Sequence, residues 1–167
     1  MKIVVIAGNP KPNSRTLDAG VRLAASLGGP DPTVVDVCSL GPGLLGWGDP
    51  AVKSAVETVA ASDLAIFASP TFKATYTGLL KLFLDQFATA EGLRGVTAVP
   101  LMLGAGPAHA MAPDLLLKPV LVELGATCPA PGLYQLDSSY NTDTTGADYV
   151  QRWEAVLRAS VSAEATA

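Results

Sequence analysis

Apolar runs of strand length alternate along this chain with stretches whose apolar residues recur every three or four positions, about five times over. Residues 2–7 (KIVVIA) form a near-continuous β-branched run, the pattern of a strand buried on both faces. Residues 16–27 follow helical spacing, with Leu17, Val21 and Ala24 on one stripe. Further strands are predicted at 33–37, 63–69 (DLAIFAS), 96–103 (VTAVPLML) and within 126–136, and further helices at 50–61, 75–88, 112–124 and 148–162. Residues 38–50 (CSLGPGLLGWGDP) read as a glycine- and proline-rich loop, which delivers Asp49 as an N-cap and Pro50 at the first helical position. Gly125 is a stop signal for the fourth helix. Pro100 cannot donate to a ladder, so a bulge or local break is expected there, and Pro129 and Pro131 interrupt the fifth strand. The tail after the last helix is expected to fray.

Strands alternating with helices imply parallel βαβ units and a sheet covered on both faces. Five such units match either a flavodoxin-like or a small Rossmann-like α/β sheet. Both bind ligands outside the carboxyl ends of the strands, at the topological switch point. The loops after strands one, three and four are therefore where chemistry is expected.

Composition narrows the setting. The 167 residues suffice for one domain, expected to span 1–167, and no repeat or linker divides them. Hydrophobic residues make up 49% and charged residues 16%, which marks a globular chain. A net charge of −4 with no basic face argues against nucleic acid as a partner. No apolar run reaches the ~18 residues of a membrane span, and the start lacks the apolar length of a secretory signal. Cys38 and Cys128 lie far apart without CxxC spacing, so two free thiols, no metal site and a reducing cytoplasm are expected.

The first loop, within 8–17 (GNPKPNSRTL), stands where a strand gives way to a helix. Unpaired N–H groups and the helix dipole favour an anion at such a place. Ser14 and Thr16 add hydroxyls, and Arg15 adds a charge suited to bidentate phosphate contact. The loop is neither a Walker loop nor the dinucleotide fingerprint. It suits a monoester phosphate such as that of FMN, and it also reads as an ordinary capped helix. The third loop begins Ser69-Pro70-Thr71-Phe72-Lys73. Proline stiffens it, Phe72 can flank a flat ring, and Lys73 either adds charge beside that ring or sits in solvent. In the fourth loop Gly104 and Gly106 let a ligand approach the backbone closely. His109, the sole histidine, reads as a polar cap before the fourth helix or as a contact to flavin or nicotinamide.

Together these segments resemble the NADPH-dependent FMN reductase family. GNPKPNSRT is similar to its phosphate loop, usually written GSxRxxSxT, with Asn9 where serine is common and Lys11 where the loop varies. SPTFKATYTGLLKLFLDQF is similar to its flavin-ring loop and following helix. GAGPAHAMAPDLLLKPVLVELGA is similar to the branch that supplies reduced flavin to sulfonate monooxygenases. The resemblance covers about residues 1–136. It implies a flavodoxin-like three-layer sandwich whose five-stranded parallel sheet has the order 2-1-3-4-5. It implies hydride transfer from NADPH or NADH to FMN, with no catalytic side chain. Ser14, Arg15 and Thr16 are then assigned to the phosphate, Pro70, Thr71, Phe72 and Lys73 to the isoalloxazine, and Gly104 and Gly106 to its far edge. A monooxygenase partner is implied, as is a homodimer or homotetramer formed through the helix after strand three. That helix carries Leu79, Leu80, Phe83, Leu84 and Phe87 on one stripe with Leu82 off it, which serves equally a well-buried core helix. Some sulfonate-branch relatives carry a tyrosine in the fourth helix that affects flavin exchange. Leu115 stands at the matching position, so FMN is either a released product or a retained group. The alternatives to a flavin reductase are a flavoprotein with tightly bound FMN that reduces quinones or azo compounds, an electron carrier, and a flavin-free binding protein on the same fold.

Overall fold

The structure is a computed structural model and describes residues 1–164. Five parallel strands, β1 (Ile3–Ala7), β2 (Thr33–Asp36), β3 (Leu64–Pro70), β4 (Thr97–Gly104) and β5 (Leu133–Leu136), form one sheet in the order β2-β1-β3-β4-β5. This is the flavodoxin-like arrangement. Successive strand residues point to opposite faces, so a run such as IVVIA must be apolar throughout when both faces are covered. On one face Val5, Ile66 and Leu101 share a buried cluster with Leu23 of α1 (Arg15–Ser26) and Leu157 of α5 (Thr145–Glu164). On the other, Ile6, Phe67 and Met102 cluster with Val59 of α2 (Pro50–Ala60), Phe83 of α3 (Gly78–Leu84) and Leu121 of α4 (Lys118–Glu123). No helix among the described residues is long and apolar enough to cross a membrane.

β4 runs unbroken through Pro100, its register with β3 continuing from Leu64↔Thr97 to Pro70↔Leu103, so the expected bulge does not form. The Thr97 N–H donates to the Asp63 carbonyl on the β3 side, and the Ala98 N–H to the Thr127 carbonyl on the β5 side. Alternation turns the Pro100 nitrogen to the β5 side as well, and pairing there resumes only at Leu101↔Leu133. The missing donor faces a gap that the chain has already left. The fifth strand, expected within 126–136, occupies the last four residues of that stretch, after the gap.

The third helix is shorter than the predicted 75–88. Thr77 is its N-cap: Oγ1 accepts from the Leu80 N–H at 3.0 Å and donates to the Gly8 carbonyl at 2.5 Å. Residues 72–75 form a tight hairpin turn instead. The predicted loop at 38–50 carries 3₁₀ turns over Val37–Leu45, broken at Gly41 (φ 54°). Leu44 is buried there, whereas Leu45 and Trp47 are 77% and 78% exposed.

The fourth helix, expected as one piece, opens with a wide π turn over Pro113–Leu117 before α4 begins. The Lys118 N–H reaches back five residues to the Pro113 carbonyl. Pro119 explains this, because in α geometry its ring would meet the Leu115 carbonyl and it has no N–H to give. The wider turn relieves the clash. Leu115 is left exposed. The last helix starts at Thr145, earlier than expected, and runs to Glu164, so the first two residues of the tail expected to fray are helical; the rest of that tail lies outside the described residues.

Candidate functional site

β1, β3 and β4 end on one edge of the sheet, where their loops enclose two joined cavities. The first, of about 490 Å³, is lined by the loop after β1, by Pro70, Thr71 and Phe72, and by Leu103, Gly104 and Ala105. The second, of about 550 Å³, is lined by Thr71, Lys73, Ala74 and the turn from Ala105 to His109. Thr71 and Ala105 belong to both. A cleft of about 170 Å³ between α1, β5 and α5 involves none of these loops.

The first loop is shaped by its own polar residues. Asn9 Oδ1 accepts from the Lys11 N–H at 2.9 Å, and Asn9 Nδ2 donates to Thr16 Oγ1 at 2.9 Å. Asn13 sits in the left-handed region at φ 50°, which asparagine tolerates better than most residues. Ser14 caps α1, its Oγ accepting from the Leu17 N–H at 3.2 Å. Ser14 and Thr16 are buried. Each hydroxyl thus accepts one bond from the protein and keeps its proton to donate. The Arg15 and Thr16 N–H groups, in the first helical turn, have no intrahelical acceptor. These donors and the helix dipole make an anion cradle.

Arg15 is already engaged in that cradle. It donates to the Asp137 backbone carbonyl at 3.1 Å and pairs with Asp137 Oδ2 at 3.2 Å. Asp137 lines the first cavity just past β5, its own N–H bonded to the Gly104 carbonyl at 2.9 Å. Sequence reasoning misses this residue because it carries no motif. The available signal is its place at the carboxyl end of a strand.

The loop after β3 is locked from within. Ser69, fully buried, donates from Oγ to the Pro70 carbonyl at 2.9 Å and accepts from the Thr77 N–H at 3.1 Å. The Thr71 N–H donates to the Leu103 carbonyl at 2.7 Å. Phe72 and Thr75 exchange both backbone hydrogen bonds, at 2.9 and 3.2 Å, across Lys73 (φ 51°) and Ala74 (φ 70°). This is a turn with two left-handed residues and no glycine, a conformation costing ~1–2 kcal/mol per residue. Lys73 is exposed at the second cavity. Thr71 Oγ1 is buried without a hydrogen-bond partner, the only such side-chain atom among the described residues.

Gly104 serves a purpose beyond the ligand approach expected of it. A Cβ there would lie 1.8 Å from Tyr134 Oη, so the glycine makes room for a tyrosine from β5. Tyr134 Oη then donates to the Gly106 carbonyl at 2.7 Å and holds the loop after β4. Gly104 lines the first cavity and Gly106 the second. His109 is exposed on the second cavity. Neither its own 3₁₀ turn nor the following π turn has a side-chain cap, so it does not cap the fourth helix. Cys38 and Cys128 are free and outside both cavities. Burial pushes the Cys128 thiol up to about 11, which leaves it protonated at neutral pH.

Residues 1–141 match the family model described as NADPH-dependent FMN reductase. A protein of Escherichia coli K12 described as "FMN reductase (NADPH)" is 33% identical over 143 residues, covering 83% of this chain and 74% of that one. A Pseudomonas putida protein described as "NADH-dependent FMN reductase SfnF" is 32% identical over 143 residues, with coverages of 80% and 76%. Among solved structures, an apo NADH:FMN oxidoreductase (EMOB) matches with a TM-score of 0.84 at 30% identity, covering 95% of this chain and 89% of that one.

Proposed function

The chain belongs to the NADPH-dependent FMN reductase family, and from that premise we propose that its two joined cavities hold the FMN and the nicotinamide between which hydride passes. The phosphate is received by the Ser14 and Thr16 hydroxyls, the first-turn N–H groups and Arg15. The isoalloxazine lies along Pro70, Thr71, Phe72 and Gly104, with Lys73 and Gly106 toward the second cavity. Bound FMN supplies an N5 that takes hydride from NADPH or NADH and passes the electrons onward. Hydride transfer itself moves no proton, so the task of this chain is to orient the rings and exclude water. The Ser69, Thr71 and Thr77 hydrogen bonds fix the backbone that the ring would face. Lys73 adds positive charge where negative charge develops on reduction.

The observation that carries this reading is the continuity of the site: the donor set of the β1 loop, with Ser14, Arg15 and Thr16, opens into a cavity walled by Pro70, Thr71, Phe72 and Gly104, with room for a flat ring beside the anion. The test is NADPH and NADH oxidation with and without added FMN, alongside the visible spectrum after dialysis. Oxidation that depends on free FMN is expected, and a protein that takes up no FMN overturns the assignment.

We extend the proposal to a cytoplasmic homo-oligomer that hands reduced FMN to a monooxygenase. Leu80, Phe83, Leu84 and Phe87 of the α3 region turn into the protein's own core. The exposed Leu82 remains, beside the loop that carries Leu45 and Trp47. Gln86 Nε2, donating to the Gly46 carbonyl at 3.2 Å, holds that loop against the end of α3. These side chains form the apolar face on which a second copy is proposed to dock.

A further inference from the structure

We propose that Asp137 sets how readily FMN leaves, by competing with the FMN phosphate for Arg15. The inference rests on the phosphate end of the site proposed above. Asp137 offers Arg15 two acceptors at once, its backbone carbonyl at 3.1 Å and Oδ2 at 3.2 Å. Its backbone is pinned to Gly104, so the carboxylate belongs to the wall of the first cavity. Asp137 already engages both Nη1 and Nη2 of the guanidinium, so a phosphate reaches that end only by opening the Asp137 contact and otherwise shares the group from its Nε side. It also brings nearly two negative charges to a wall that already holds one.

The pair is partly exposed, so solvent and salt screen the repulsion and keep its effect moderate. Asp137→Asn removes the charge while the backbone carbonyl still orients Arg15. Isothermal titration with FMN and with riboflavin, which lacks the phosphate, separates the possibilities. D137N is expected to tighten FMN about three- to tenfold and to leave riboflavin within about twofold. The variant is also expected to stay yellow through a desalting column that strips the wild type. Asp137→Ser, with thermal unfolding of both variants, guards against a folding artefact. Weaker or unchanged FMN binding in D137N overturns the proposal and makes Asp137 a positioner of Arg15. Equal tightening of both flavins overturns it too, since the effect is then not at the phosphate. Failure of the wild type to bind either flavin would instead overturn the flavin reading itself.

Discussion

A threonine hydroxyl in the protein interior ordinarily finds an acceptor, and at Thr71 it does not. Replacing it by valine keeps the shape and removes the unmet group. Thr71→Val is therefore expected to raise the melting temperature of the ligand-free protein in calorimetry. The same variant should keep FMN binding within about threefold of the wild type by titration, because the hydroxyl is sealed from the cavity. Ala74 stands inside the turn closed by the Phe72–Thr75 backbone pair, in a conformation that glycine adopts without penalty. Ala74→Gly should stabilise the protein by about 0.5–1 kcal/mol, less than the full relief of strain because glycine also frees the unfolded chain. The readout is a chemical-denaturation midpoint that rises at constant slope. Gly104 gives the opposite case. Any side chain there strikes Tyr134, and Gly104→Ala should cost at least about 2 kcal/mol by the same denaturation measurement.

Elements show how far the sequence speaks for itself. The strand runs and the helix periodicities are local signals, and the five strands and five α-helices follow them. Departures come where a local signal meets a neighbour. Thr77 begins α3 later than periodicity suggests because its hydroxyl has a partner in the Gly8 carbonyl, far away in sequence. Pro100 sits in a regular strand because the adjacent chain has left the sheet beside it. Ser14, Arg15 and Thr16 stand out in a motif at a strand–helix junction, whereas Asp137 and Tyr134 come to the same edge only through the pairing of β4 with β5. No spacing in the chain announces that.

The turn after β5 is tied to α1 in a further way. Asp18 Oδ2 accepts from Arg22 Nε at 2.7 Å and from Tyr140 Oη at 2.8 Å. Burial pulls the Asp18 carboxyl upward, but these hydrogen bonds outweigh it and hold the group below its ordinary value. A carboxylate depressed in the folded state contributes stability above its unfolded pKa. That stability is lost as pH falls from about 4 through the lower folded value. Asp18→Asn should flatten the acid limb of the melting-temperature profile while leaving its neutral plateau lower than that of the wild type.

At the scale of the whole molecule, one sheet edge gathers the chemistry, with the exposed Phe72 beside it, and three other exposed apolar side chains lie outside its two cavities. Leu45, Trp47 and Leu82 are the proposed contact with a second copy. A Trp47→Ser, Leu82→Glu variant should sediment as a smaller species than the wild type at equal concentration, with its melting temperature changed by no more than a few degrees. An unchanged sedimentation coefficient would place any self-association on another face.

The exposure of Trp47 also has an optical consequence. The chain has two tryptophans, and the other, Trp153, is half-buried on α5 with the Arg152 guanidinium 5.0 Å from its ring. Intrinsic emission therefore combines a sheltered indole with one that water and small quenchers reach freely. Covering Trp47 with a second copy would shift the emission to the blue and protect it from iodide, and dilution would reverse both. Trp47 is thus a built-in label for the proposed self-association, without a dye and outside the two cavities.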